Sequence, residues 1–124
     1  MNVKTVHVVG GGLAGTEAAW QCLRKGLKVV LHEMRPKKST EAHKTSNLAE
    51  LVCSNSMKSL LPHTAAGELK HEMRTLDSLI IEAAFENRVP AGNALAIERK
   101  GFSEYIEKKL NSFPSFVRAN EEIT

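Results

Sequence analysis

The chain has 124 residues, enough for one modest domain with a single core and short for an enzyme that must also house a substrate domain. Apolar residues make up 42% and charged residues 25%, the balance of a soluble globular protein, while 5% aromatic content argues against a stacking surface for single-stranded nucleic acid. A formal charge of +3 permits contact with RNA or phosphates without requiring it, and no apolar run approaches the roughly 18 residues of a spanning helix. Cys22 and Cys53 have no CxxC spacing and the five histidines show no metal spacing, so neither a metal site nor a disulfide framework is expected, and a reduced, cytoplasmic setting fits.

In chain order, Val3 to Val9 is β-branched and bounded by Gly10, which predicts a short buried strand of a parallel sheet. Leu13, Ala14, Ala18, Cys22 and Leu23 fall near one stripe of a helix that Gly26 ends, and Leu27 to His32 forms a second apolar strand. From about residue 34 to 66 the pattern dissolves into an irregular loop with one short helix near Leu48 to Val52. A single helix is predicted over Gly67 to Asn87, with Leu69, Met73, Leu76 and Ile80 inward and Glu68, Lys70, Glu72 and Arg74 outward. Ala94 to Ile97 reads as a short strand, Phe102, Tyr105, Ile106 and Leu110 mark a final helix, and Phe116 to Ala119 forms one more strand. The fold class is α/β: a Rossmann-type dinucleotide-binding unit with a parallel sheet and flanking helices, occupying 1–124 as one domain.

Gly10-Gly11-Gly12-Leu13-Ala14-Gly15 fits GxGxxG, and the surrounding register matches too: Ala19 where the helix packs on the sheet, Gly26 where it turns, Glu33 at the end of the second strand. Gly10 permits the tight turn, Gly12 lets the backbone approach a pyrophosphate, and Gly15 lets helix and strand lie close. The helix N-terminus, at Leu13 and Ala14, offers N–H groups to the phosphates. Glu33 is placed to accept hydrogen bonds from the ribose hydroxyls and to repel a 2′-phosphate, despite Arg35 nearby. The residues alone leave FAD and NAD both open.

Beyond Glu33 the sequence carries more specific words: Glu33-Met34-Arg35-Pro36, Ala49-Glu50-Leu51-Val52-Cys53-Ser54-Asn55-Ser56, Glu72-Met73-Arg74 and Val89-Pro90-Ala91-Gly92. With the glycine turn they resemble the N-terminal part of the folate- and FAD-dependent tRNA (uracil-5-)-methyltransferase family. The resemblance implies bound FAD, with Gly10 to Gly15, Glu33 and Arg35 as its contacts and Arg99 near it. It also implies methylenetetrahydrofolate and NAD(P)H as co-substrates, and tRNA, methylated at C5 of the T-loop uridine, as partner. It raises Cys53 as a catalytic thiol that would attack a uracil or stabilise a flavin adduct; a half-buried structural cysteine is the alternative reading. Members run to several hundred residues, so the chain is expected to be a fragment whose remainder lies beyond Thr124. Arg35, Lys37, Lys38 and Lys44 form a basic loop that either meets tRNA phosphates or is simply solvated. Two rival functions are a fragment that binds a nucleotide without turnover and a general flavin oxidoreductase.

Overall fold

Strand β1 (Thr5–Val9), helix α1 (Leu13–Arg24) and strand β2 (Lys28–His32) form where the apolar pattern places them. The computed structural model describes residues 3–39, 43, 45–52 and 54–124. β1 pairs in parallel with β2, from Thr5 opposite Lys28 to Val9 opposite His32. On its other side β2 pairs in parallel with β6 (Phe116–Ala119), from Val29 opposite Phe116 to His32 opposite Ala119. The order β1-β2-β6 makes β2 the central strand. Val29 and Leu31 are therefore fully buried, whereas β1 alternates between half-buried and exposed and Val9 is 64% exposed. The expected burial of the first strand does not hold, because among the described residues nothing pairs with its outer edge.

α1 sits on this sheet by a face other than the expected one. Thr16, Ala19 and Leu23 are buried; Leu13, Ala14 and Ala18 are exposed, and Cys22 is half-buried. Gly15 sets the rotation, since a Cβ there would lie 1.8 Å from the Gly10 carbonyl oxygen, so the helix meets the strand along residues 15, 16, 19 and 23. In an alanine-rich helix, closest approach outweighs the small apolar moment.

The loop after β2 holds no helix among its described residues. Leu48, Ala49 and Leu51 nevertheless enter the core, and β3 (Ser56–Ser59) was not foreseen, its sequence Ser-Met-Lys-Ser having no alternating apolar pattern. β3 pairs antiparallel with β5 (Ala94–Ile97), which also pairs with the two-residue β4 (Arg88–Val89), giving a second sheet of order β3-β5-β4.

The single helix expected over 67–87 is two: α2 (Ala65–Thr75) and α3 (Leu79–Glu86). Asp77 takes a positive φ of 57° and Ser78 caps α3, its hydroxyl accepting from the Ile81 N–H. From α1, the Glu17 carboxylate accepts from the Leu79 and Ile80 N–H groups and from the Ser78 hydroxyl, satisfying the orphan donors of α3. α2 keeps Glu68, Glu72 and Arg74 exposed and Met73 half-buried, as expected, but departs at three positions. Leu69 and Leu76 are 57% and 70% exposed, while Lys70 is buried, its Nζ donating to the Ser59 and Ala66 carbonyls. Gly67 forces this orientation: a Cβ there would stand 1.9 Å from the Leu61 carbonyl oxygen.

α4 (Arg99–Asn111) runs as expected, with Phe102, Ile106 and Leu110 fully buried and Glu98 capping its first turn through the Lys100 and Gly101 N–H groups. Helices α1, α3 and α4 and strands β2 and β5 share one core. No helix among the described residues is long and apolar enough to cross a membrane.

Gly15→Ala should lower stability by more than about 2 kcal/mol through the clash with Gly10, whereas Gly12→Ala, facing open space, should leave it within about 0.5 kcal/mol. Denaturant unfolding of the two variants checks the contrast.

Candidate functional site

The glycine turn lies at the C-terminal ends of β1 and β2, where a parallel sheet ordinarily receives its ligand. Gly10 adopts φ 96° and donates its N–H to the His32 carbonyl at 2.8 Å, closing the turn onto β2. Gly11 is buried and engaged on both sides: its N–H donates to Glu33 Oε1 at 3.0 Å, and its carbonyl accepts from the Ala49 N–H at 2.7 Å. A Cβ at Gly11 would meet Leu48 at 2.5 Å, so this middle glycine is packed from below. Gly12 has nothing within 4 Å of where its Cβ would be, and no side chain caps the first turn of α1, which begins at the exposed Leu13 and Ala14. An open backbone beside an uncapped helix N-terminus suits a phosphate group.

Glu33 is 5% exposed and bonded on both oxygens. Beside the Gly11 contact, its Oε2 accepts from the Arg35 backbone N–H at 2.9 Å and from Arg35 Nε at 2.8 Å. Burial alone would raise its pKa, but the Arg35 side-chain bond, the N–H groups of Arg35 and Gly11 and the guanidinium charge outweigh it, bringing the value from 4.5 to about 2. Arg35, 2% exposed, also donates from Nη1 to the Thr45 carbonyl at 3.1 Å and lies 3.6 Å from Glu50 Oε2. Its guanidinium is therefore spent inside the protein and does not join a basic surface for tRNA, as the sequence had left open. Lys38 pairs with Glu122, Lys37 is exposed, and Lys44 lies outside the described residues.

A cavity of about 360 Å³ opens over the turn, bordered by Gly10, Gly11, Gly12, Glu33 and Arg35. The structure adds walls that the sequence reading missed, Glu121, Glu122 and Ile123, brought there because β6 lies beside β2. His32, the residue next to Glu33, is also in the wall; its Nδ1 lies 2.8 Å from Glu121 Oε1 and its Nε2 lies 2.9 Å from Nδ1 of His7, the two rings stacking at 5.2 Å. A second cavity of about 350 Å³ lies between the loop and the start of α4, lined by Thr45, Glu50, Leu51, Val52, Arg99 and Ser103. Glu50 borders this one and Arg35 the first, so one ion pair stands between the two hollows. Cys53 lies outside the described residues. No group of three or more histidine, cysteine, aspartate or glutamate side chains is disposed to hold a metal among the described residues.

Residues 5–124 match the family model described as glucose inhibited division protein A. The chain belongs to this family. It is 57% identical over 122 residues to the methylenetetrahydrofolate--tRNA-(uracil-5-)-methyltransferase TrmFO of Lactobacillus johnsonii, an alignment covering 98% of this chain and 28% of that protein. To the protein of the same name from Aquifex aeolicus it is 58% identical over 118 residues, covering 95% of this chain and 26% of the other. The chain thus spans little more than a quarter of the length of the curated relatives it matches. Among solved structures, Aquifex aeolicus GidA superposes with a TM-score of 0.69 at 18% identity, over 94% of this chain and 19% of that one. CtdE in complex with FAD does so at a TM-score of 0.51 and 20% identity, over 96% and 30%. At these identities the superpositions establish the α/β fold, while the sequence matches bear out the methyltransferase-family resemblance read from the residues.

Because the Glu33 pKa is depressed, its contribution is complete above the ordinary carboxyl value and is lost as pH falls from about 4.5 to about 2. Held at about 2 against 4.5, the group contributes on the order of 3 kcal/mol near neutral pH. Glu33→Gln should be less stable than the parent at pH 7, with the gap closing across that window; melting temperatures of both proteins from pH 7 to pH 2 measure it.

Proposed function

We propose that this chain is the FAD-holding portion of a folate-dependent tRNA uridine methyltransferase. The observation that carries the reading is the 57% identity to proteins bearing that name, spread along nearly the whole chain, together with a phosphate turn whose geometry fits a dinucleotide. The fit is specific: Gly12 leaves room where a pyrophosphate must approach, the first turn of α1 is uncapped, and the cavity over it is bordered by Glu33.

In this reading the N–H groups at the start of α1 hold the pyrophosphate, and Gly12 keeps the approach clear. A carboxylate oxygen accepts two hydrogen bonds, so Glu33 Oε1 keeps one lone pair for a ribose hydroxyl after serving Gly11. Glu33, Glu121 and Glu122 around the same cavity disfavour an additional 2′-phosphate, which argues against NADP here; the family match favours FAD over NAD and leaves NAD(P)H to act as a reductant that visits. The hollow lined by Val52 and Arg99 is assigned to the farther end of the same extended ligand, Arg99 supplying a positive charge at its rim. When bound, FAD supplies the redox chemistry that turns a methylene unit from methylenetetrahydrofolate into a methyl group. Cys53 is assigned a covalent or adduct-stabilising role on the strength of the sequence block around it. The cytoplasm, where tRNA and folate meet, is the setting this function requires.

Gly12→Val places a branched side chain in the pyrophosphate path, so it should raise the FAD dissociation constant at least tenfold while the circular dichroism spectrum is kept. Fluorescence titration with FAD decides this, and unchanged affinity would remove the turn from the site. For the reaction, an intact protein that carries this chain as its FAD-holding portion is incubated with FAD, NAD(P)H, labelled methylenetetrahydrofolate and tRNA lacking the T-loop methyl, and the label is expected at C5 of uridine, whereas residues 1–124 alone are expected to transfer none. A protein that binds FAD and oxidises NAD(P)H without labelling tRNA would be an oxidoreductase of another kind.

A further inference from the structure

The face built by α2, α3 and β4 shares no lining residue with either cavity described above. The Phe85 ring carries two guanidinium groups, that of Arg74 at 4.6 Å from its centroid and that of Arg88 at 5.7 Å. Both arginines are exposed, and neither forms an ion pair with a described residue. Arg74 opens onto a cleft of about 400 Å³ whose floor includes Lys70 and whose rim includes His71. An ammonium has three donors, and Lys70 uses two on the Ser59 and Ala66 carbonyls, which leaves one for a ligand in the cleft. Glu68 is the carboxylate among the cleft's lining residues. On the other side of Arg74 stand Asp77, Glu82 and Glu86; Asp77 is matched by Arg24 at 3.2 Å, and Glu82 by Lys109 at 3.4 Å and the Tyr105 hydroxyl at 2.9 Å.

We propose that this face docks the phosphate backbone of a structured RNA, with Arg74 and Lys70 taking one phosphate in the cleft and Arg88 continuing the track. The inference rests on the reading of the protein as a tRNA-modifying enzyme and gives that partner a place to lie. Stacking on Phe85 holds the guanidinium groups in place ahead of contact, where free lysines would have to be ordered first. With its ring engaged by arginines, Phe85 offers no platform for bases, so recognition is of charge and shape, in keeping with the low aromatic content.

The patch lies wholly within this chain, which makes it testable apart from catalysis. The 124-residue protein is titrated into fluorescently labelled tRNA at several salt concentrations and followed by anisotropy. The native protein should bind with an affinity that falls as salt rises. Arg74→Glu combined with Arg88→Glu should weaken binding about tenfold or more and reduce the salt slope by about two, while Arg74→Lys with Arg88→Lys keeps most of the affinity. Lys25→Glu, at the end of α1, should change nothing beyond about twofold. Absence of tRNA binding by the native protein, equal loss in the lysine and glutamate pairs, or equal binding of polyglutamate would each overturn the proposal. Binding of tRNA through Arg74 and Arg88 by this chain, with no methylation by an intact protein that carries it, would keep this surface and lose the catalytic reading.

Discussion

One buried carboxylate ties the structure together. Glu33 ends the central strand, and from there it holds the phosphate turn through the Gly11 N–H and the following loop through Arg35. Removing a charge from water costs several kcal/mol, repaid only where the group is paired and hydrogen-bonded in good geometry. Both partners meet that condition, because each is itself fixed: Gly11 by Ala49, Arg35 by the Thr45 carbonyl and Glu50. The carboxylate thereby converts a change of chain direction into a rigid junction of strand, turn and loop.

From that junction the irregular segment gains its shape. Arg118 on β6 donates to the carbonyls of Arg35 and Ser46 and pairs with Glu107 of α4, at 3.5 Å. Glu107 in turn accepts from the Leu48 N–H at 2.7 Å, so Leu48, Ala49 and Leu51 are delivered to the core by polar contacts. A stretch with no regular structure can thus have a defined path, and the two hollows on either side of Arg35 inherit it.

Much of this was legible in the residues and some was not, for separable physical reasons. The glycine fingerprint, the acidic end of β2 and the apolar spacing of α4 are local signals, and each maps to the element it suggested. The face of α1 and the burial of Lys70 in place of Leu69 are decided by glycines in contact with distant carbonyls, Gly15 with Gly10 and Gly67 with Leu61, which the apolar stripes do not reveal. The sequence offers Arg35 both as a cofactor contact and as part of a basic loop, because charge is visible in a sequence and burial is not; its partners Thr45 and Glu50 lie in a loop with no pattern to read. Glu121 and Glu122 reach the cavity through strand order, which no local window contains.

Glu17 caps a helix to which it does not belong, reaching from α1 to the first turn of α3. An aspartate at 17 is a methylene too short to span the gap, and an apolar residue there would strand the N–H groups of Leu79 and Ile80. Because those two donors belong to the backbone, the side chains at 79 and 80 can change without touching the cap, and only proline would remove a donor. In a lineage of such chains position 17 should therefore hold its glutamate while its backbone partners vary among apolar residues, although none of these positions borders the cavity over the glycine turn.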